Sequence, residues 1–391
     1  MTMTSVKPLA IMRALAAAQT PTPSVSVPIP APPQLGASSY ILVDYDSGRV
    51  LVDHNATVRS DIASITKLMT GYAVFRELAA GKINLSDIVP VSEKAWRTGG
   101  SRMFIEPGME VTVEQLLLGM IVQSGNDASV ALAEFVAGTE ETFATLMNLY
   151  AEELGMADTH YVNATGLPDE NHYSTAKDVA TLSAAIIRQF PQYYGWYSQK
   201  EYTFNDIRQH NRNNLLWRDP AVDGLKTGHT EAAGYCLASS AKRDGMRLIS
   251  VVMGSASEQS RASESQSLLT YGFRFFETVQ LYREGDQLSE SRVWKGETDQ
   301  VALGVASDLF VTIPRGRYDD LEAKLLLQQE LMAPLSAGQE LGRVRVSLDG
   351  EVIAERGLLA LSEVPAAGFI GRTIDGLSLW AGGLFGGDED E

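Results

Sequence analysis

Residues 40–44 form an almost unbroken apolar run, Asp46-Ser47-Gly48 reads as a turn, and residues 49–52 turn apolar again after Arg49, which predicts a strand pair. From about residue 61 to about 190, apolar positions recur at three- and four-residue steps. Leu68, Tyr72, Phe75 and Leu78 are one such set, and Leu116, Leu117, Met120 and Ile121 another, so this stretch predicts helices. Strands return around Lys226. Residues 235–239 and 248–253 flank Arg243-Asp244-Gly245, and an Asp-Gly pair between apolar runs signals a hairpin. A strand pair, a helical block and a closing strand group imply an α+β fold in which an antiparallel sheet packs with helices. We expect this region to span 35–282 and to carry the chemistry.

Beyond it the apolar runs shorten to 301–303, 309–313, 324–327, 344–348 and 352–354, with a second Asp-Gly turn at Asp349-Gly350. This predicts a small all-β domain over 283–367, in which no catalytic constellation is visible. Residues 368–391 change character again. Ile370, Ile374, Leu377, Ala381 and Leu384 recur at helical steps beside Trp380, as in an amphipathic tail able to lie in a membrane interface. Packing of that face on its own protein is the other reading. At the opposite end, Pro8, Pro21, Pro23, Pro28, Pro30, Pro32 and Pro33 crowd the first 34 residues, making 20–33 an extended segment. Ahead of it, the apolar residues 9–12 and 14–18 and the small run Ala16-Ala17-Ala18 fit either a secretory signal or an unstructured leader. No later segment approaches the roughly 20 apolar residues that span a bilayer.

Composition narrows the function classes. The 391 residues carry 32 Lys and Arg against 49 Asp and Glu, a formal charge of −17. A field of that sign repels phosphate backbones, so no nucleic-acid partner is expected. The single Cys236 cannot form an intrachain disulfide, and His54, His160, His172, His210 and His229 show no metal-ligand spacing. We therefore expect neither a metal nor a cofactor.

Three short motifs then occur in order: Ser64-Ile65-Thr66-Lys67, Ser124-Gly125-Asn126 and Lys226-Thr227-Gly228. Ser-x-x-Lys recurs at Ser174 and at Ser239, so context must decide. Ser239 and Lys242 lie on a strand, where odd spacing sends them to opposite faces. Ser174 and Thr175 open a helix with Asp178 placed as a capping acid. Ser64 is expected in the first turn of a helix started by Ser60 or Asp61, with Lys67 one turn on. A lysine there can deprotonate the hydroxyl if burial or a second cation, for which Lys226 is the candidate, lowers its pKa. Ser124 would relay a proton and Asn126 would bind a substrate amide. Lys226 and Thr227 on a strand edge suit a carboxylate, with Gly228 admitting a close ligand backbone. Singly, each motif is better explained as a helix cap, a loop turn or a solvated lysine; the ordered set reverses that judgement.

The set resembles that of the active-site serine penicillin-binding proteins and class A β-lactamases. Beyond the motifs, segments 39–42, 63–70, 123–128, 223–230, 247–250, 271–277 and 313–317 resemble the low-molecular-mass D-alanyl-D-alanine carboxypeptidases of the bacterial envelope. That resemblance implies a β-lactamase/transpeptidase-like catalytic domain. Ser64 would be the nucleophile toward a peptidoglycan stem pentapeptide, Lys67 its proton acceptor and Ser124 an assistant. Lys226 and Thr227 would bind the terminal carboxylate, with Arg212 a second carboxylate reader. The backbone N–H groups of Ser64 and His229 would form the oxyanion hole. It further implies acylation by β-lactam antibiotics and a peripheral location on the periplasmic face of the inner membrane, held there by the tail. A class A β-lactamase is the nearest alternative. That class places a glutamate in a Glu-x-x-Leu-Asn segment, whereas this chain has no Leu-Asn dipeptide and has Gly125 where that class has aspartate. A non-catalytic peptidoglycan-binding envelope protein is the third reading.

Overall fold

The structure is a computed structural model, described here for residues 3–6, 29–327 and 330–368. The amphipathic tail and most of the proline-rich leader expected from the sequence lie outside the described residues. The chain divides into two compact units, Pro30–Phe275 and a second comprising Met1–Ile29 and Phe276–Glu391 as far as they are described.

The first unit is built on a five-stranded antiparallel sheet of β1 (Ser39–Asp44), β2 (Val50–His54), β3 (Val222–Thr230), β4 (Gly234–Arg243) and β5 (Met246–Ser255), in the spatial order β2-β1-β5-β4-β3. The Asp244-Gly245 turn joins β4 to β5 with φ of +50° and +86°, the two left-handed residues that a tight hairpin requires. Side chains alternate between the faces of β5. Ile249, Val251 and Met253 join a core made largely from the helical block. On the other face Leu248 meets Gly272 of α5 (Glu258–Phe275) so closely that a Cβ at Gly272 would lie 2.5 Å from its Cδ1. That last helix was not anticipated from the sequence.

The helical block contains α1 (Lys67–Ala79), α2 (Asn126–Ala137), α3 (Glu140–Glu153) and α4 (Ala176–Gln189). Leu68, Met69, Tyr72 and Phe75 of α1 are buried in its centre, as their helical spacing predicts. Thr175 caps α4, its hydroxyl accepting from the Asp178 N–H. The Asp178 carboxylate instead accepts from Asp158 N–H and Thr159 Oγ1, so the expected reciprocal box does not form.

The second unit is all-β. Its seven-stranded sheet runs in the order Met3–Val6, Leu321–Leu327, Glu340–Leu348, Glu351–Ala360, Gln300–Val305, Gln287–Trp294, Leu331–Met332. Phe276–Tyr282 pairs with Leu309–Pro314 and belongs to this unit, a few residues earlier than the change in sequence texture suggests. Val301, Leu303, Val344, Val346 and Leu358 form its apolar core.

Candidate active site

The turn that carries Ser64 differs from the expected helix start. Residues Ala63–Thr66 form a 3-10 turn whose preceding residue, Ile62, offers no side-chain cap, and the α-helix begins only at Lys67. Ser60 instead exchanges backbone hydrogen bonds with Ser174. Ala63 has a φ of +47°, a left-handed conformation that an L-residue adopts only at some energetic expense. Ser64, half-buried, follows it in the turn.

Lys67 is 1% exposed and its Nζ has three neighbours: Ser64 Oγ at 2.9 Å, Asn126 Oδ1 at 2.7 Å and the Thr165 carbonyl at 2.6 Å. Asn126 Nδ2 donates to the Gly99 carbonyl at 2.6 Å, which orients its amide so that only the oxygen faces Lys67. Two of the three neighbours can thus only accept. A neutral amine has two N–H bonds and one lone pair, so both hydrogens are committed and the lone pair is left for the Ser64 O–H. Burial pushes the Lys67 pKa down to about 7; the Asp127 carboxylate opposes the shift and Arg212 adds to it. Burial, one of the two causes expected, leads, and the cation that adds to it is Arg212 where the sequence suggested Lys226.

Ser124 occupies the left-handed region, with φ of +68°, where a π-helical turn over Gly119–Gln123 ends. Its Oγ accepts from Lys226 Nζ at 3.0 Å, and Lys226 also donates to the Thr227 carbonyl at 2.9 Å. Lys226 is 3% exposed, and burial holds its pKa well below the usual lysine range, with the Lys67, Arg212 and Arg261 charges adding to the effect. Both residues lie on β3, the free edge of the sheet, as expected for a strand that binds an extended ligand. Gly228 follows them. A Cβ there would come within 2.8 Å of the Ile62 carbonyl and 3.2 Å of Ala63, so the missing side chain lets β3 press against the nucleophile's turn. Next on the strand, His229 is exposed and stacks on Tyr235 with ring centroids 3.9 Å apart.

The structure therefore gathers the predicted Ser64, Lys67 and Asn126 in one hydrogen-bonded group and Ser124, Lys226 and Thr227 in another. Three contributors were not read from the sequence. Asp127 is fully buried and accepts from the N–H groups of Met103, Phe104, Ile105 and Ala128, clamping the 99–105 loop against the start of α2. Thr165 supplies only a carbonyl, for which no sequence signal exists. Arg261 on α5 is 3% exposed and donates to the Gly228 carbonyl at 3.2 Å, setting a buried cation behind β3. Among the described residues no group of three or more His, Cys, Asp or Glu could hold a metal ion.

A serine hydroxyl hydrogen-bonded to a buried amine, on a 3-10 turn that leads into a helix and lies against the edge strand of an antiparallel sheet, is the arrangement of a serine acyl-transfer enzyme of the penicillin-interacting class. The D-alanyl-D-alanine carboxypeptidase family profile matches residues 26–257, and that of the penicillin-binding protein 5 C-terminal domain matches residues 276–366. The chain is 47% identical over 362 residues to D-alanyl-D-alanine carboxypeptidase DacA of Escherichia coli, covering 90% of each chain. It is similar in structure to penicillin-binding protein 5 of Haemophilus influenzae, with a TM-score of 0.83 and 44% identity across 86% of this chain and 99% of that one. Penicillin-binding protein D2 of Listeria monocytogenes, solved in its ampicillin-bound form, matches with a TM-score of 0.57 and 29% identity, over 61% of this chain and 98% of its own. The chain belongs to the D-alanyl-D-alanine carboxypeptidase family.

Proposed function

We propose that the protein is a serine D-alanyl-D-alanine carboxypeptidase that removes the terminal D-alanine of peptidoglycan stem pentapeptides. The observation that carries this reading is the hydrogen-bond set of Lys67, which in the neutral amine leaves its lone pair for the Ser64 hydroxyl. Ser64 Oγ attacks the carbonyl carbon between the two D-alanines while its proton passes to Lys67 Nζ. The N–H groups of Ser64 and His229 stabilise the oxyanion. The C–N bond then breaks, Ser124 relays to the leaving amine the proton that Lys67 took, and free D-alanine departs. Water hydrolyses the Ser64 ester and restores the hydroxyl. The arriving carboxylate meets Lys226, Thr227 and the nearby Arg212, with the buried Arg261 charge behind the strand. The carboxylate's negative charge favours the protonated form of Lys226 and so opposes the downward shift that burial imposes on that lysine. β-Lactams imitate the D-alanyl-D-alanine end and acylate the same hydroxyl.

Such a substrate lies outside the cytoplasmic membrane. We assign the protein to the periplasmic face of the inner membrane, with the leader serving export and the 368–391 tail lying on the lipid surface. Among the described residues no helix is long and apolar enough to cross a membrane. Truncation after Ala367 should release the protein from membranes on fractionation; full-length protein already in the soluble fraction would end the anchoring idea.

Incubation with a fluorescent penicillin and, separately, with a D-alanyl-D-alanine pentapeptide tests the activity, with Ser64→Ala as control. Release of D-alanine that disappears in the control is the expected result. Rapid penicillin turnover without D-alanine release would identify a β-lactamase instead, and failure to label Ser64 would leave a peptidoglycan-binding protein.

A further inference from the structure

The residue before the nucleophile holds a left-handed conformation with no glycine to ease it, so something must fix it. The Ala63 carbonyl accepts from Thr66 Oγ1 at 2.8 Å, and Thr66 Oγ1 lies 2.7 Å from His172 Nε2. On the far side of the ring, Val162 N–H donates to His172 Nδ1 at 3.1 Å. These bonds have only one consistent polarity. Nδ1 accepts, so the neutral imidazole carries its hydrogen on Nε2 and donates to Thr66 Oγ1, leaving the Thr66 hydrogen for Ala63. All members of the chain are buried: His172 is 3% exposed, Thr66 0% and Ala63 3%.

The same segment reaches the nucleophile's turn at further points. Gly166 packs on the Ala63 carbonyl so tightly that a Cβ would lie 1.8 Å from its oxygen. The adjacent Thr165 carbonyl takes a Lys67 hydrogen, and the Ala164 carbonyl takes the Thr70 hydroxyl at 2.7 Å. The segment is closed on itself by backbone bonds between His160 and Tyr173 and fastened to Ser60 through Ser174.

We propose that His172 is a positioning residue for acyl transfer: through Thr66 it fixes the strained Ala63 carbonyl, and with it the segment that orients both Ser64 and Lys67. It touches neither substrate nor the reacting atoms. The inference rests on Ser64 and Lys67 acting as nucleophile and base. Burial, the first cause, holds the His172 pKa down at about 4, so the ring is neutral, as the relay needs, wherever the enzyme works near neutral pH.

Gln can accept through one amide atom and donate through the other, as the ring does, whereas Ala can do neither. His172→Ala should slow acylation of Ser64 by a fluorescent penicillin by about ten- to a hundredfold, the scale expected when reacting groups are misplaced by an ångström or less. The loss should fall in kcat for the pentapeptide, with KM changed by less than about threefold. His172→Gln should recover most of the rate, as should Thr66→Ser, while Thr66→Val should match His172→Ala. Combining His172→Ala with Thr66→Val should add little further loss, because both cut one chain. Acylation by His172→Ala within about twofold of the unaltered protein would overturn the proposal, as would a Gln variant no better than Ala. Should His172→Ala fail to fold, His172→Gln and the Thr66 pair decide the matter. If the unaltered protein neither labels nor releases D-alanine, the functional reading falls by itself. The His172 relay is then read from nitrogen NMR of the unaltered protein. A neutral ring protonated on Nε2 at pH 7 upholds the relay, and one protonated on Nδ1, or on both nitrogens, refutes it.

Discussion

The two units of the chain treat buried polar groups in contrasting ways. Among the described residues of the β unit, the buried polar side chains are Thr312 and Ser347, and the core is a set of Val, Leu, Ile and Ala side chains. Its ion pairs, such as Arg345–Glu355 at 2.6 Å, lie at the surface, where water and salt screen them. The catalytic unit buries Lys67, Lys226, Arg261 and Asp127, each at 3% exposure or less. Desolvating an ion costs several kcal/mol unless hydrogen bonds or a shifted pKa offset it. Both lysines shift their pKa downward, and Asp127 collects four backbone N–H groups. The β unit follows the ordinary rules of a stable core. The catalytic unit departs from them at the residues that do chemistry, and the departure is what makes an amine basic near neutral pH.

The most direct way to break this contrast is to remove the buried amine. Lys67→Ala should lower both penicillin acylation and D-alanine release by at least about a thousandfold, because among the described residues Lys67 is the base within hydrogen-bond reach of Ser64 Oγ. Single-turnover labelling measures this. A loss below about tenfold would mean that burying Lys67 serves structure, not catalysis, and the two units would then differ only in composition.

Next in size is the pH response. Lys67 acts as a base only when neutral, so the acylation rate should rise with pH and reach half its maximum near pH 7. Arg212→Ala removes a cation that lowers the Lys67 pKa and should move the half-maximum to higher pH. A rate that is flat from pH 5 to 8 would contradict the assignment. Folding stability is linked to the same proton. The folded-state pKa of Lys67 lies below its unfolded value of 10.5, so between about 7 and 10.5 the unfolded chain holds more protons. The destabilising contribution of Lys67 is complete below pH 7 and relieved as pH rises through that window. Urea titrations of the unaltered protein and of Lys67→Ala should therefore converge toward high pH.

How much of this contrast the sequence reveals depends on how local the cause is. Asp244-Gly245 and Asp349-Gly350 specify their hairpins within two residues, and both are found with paired positive φ values. The order of Ser64, Lys67, Ser124 and Lys226 was legible because side-chain chemistry marks each one. The geometry that activates them was not. Thr165 acts through a carbonyl that any residue would offer, 98 positions from Lys67. Ala63 and Ser124 hold positive φ without being glycine, so neither announces its conformation. Arg261 lies on a helix outside every motif, and His172 looked like one more histidine without ligand spacing. Each gains its role only from tertiary contact, which periodicity along one chain does not encode.

Two glycines sharpen the contrast at a smaller scale. Gly166 has φ of +82° and a Cβ there would lie 1.8 Å from the Ala63 carbonyl, whereas Gly350 has φ of +80° with nothing within 4 Å of the added atom. Backbone strain is therefore nearly the same at the two sites and only the neighbour differs. Gly350→Ala should lose about 1 kcal/mol in urea unfolding with activity unchanged. Gly166→Ala should lose at least about 3 kcal/mol, and acylation should slow with it, because the atom it displaces precedes the nucleophile. Equal losses at the two sites would show that the segment yields easily and does not hold the turn.

The smallest expected effect on activity comes from a large cavity in the second unit. Leu303 is fully buried in the β core and touches no polar network, so Leu303→Ala should destabilise that unit by about 2–4 kcal/mol. The catalytic unit has its own core around Leu68, Phe75 and Val251, and the hydrogen bonds described above for Lys67, Lys226 and Arg261 are made within it. Penicillin acylation by Leu303→Ala at 25 °C should therefore stay within about twofold of the unaltered protein, even as the unfolding midpoint falls. A parallel loss of acylation at a temperature where the variant is still folded would show that the β core helps to hold the lysines in place. The division into a chemically strained unit and a conventionally packed one would then have to be abandoned.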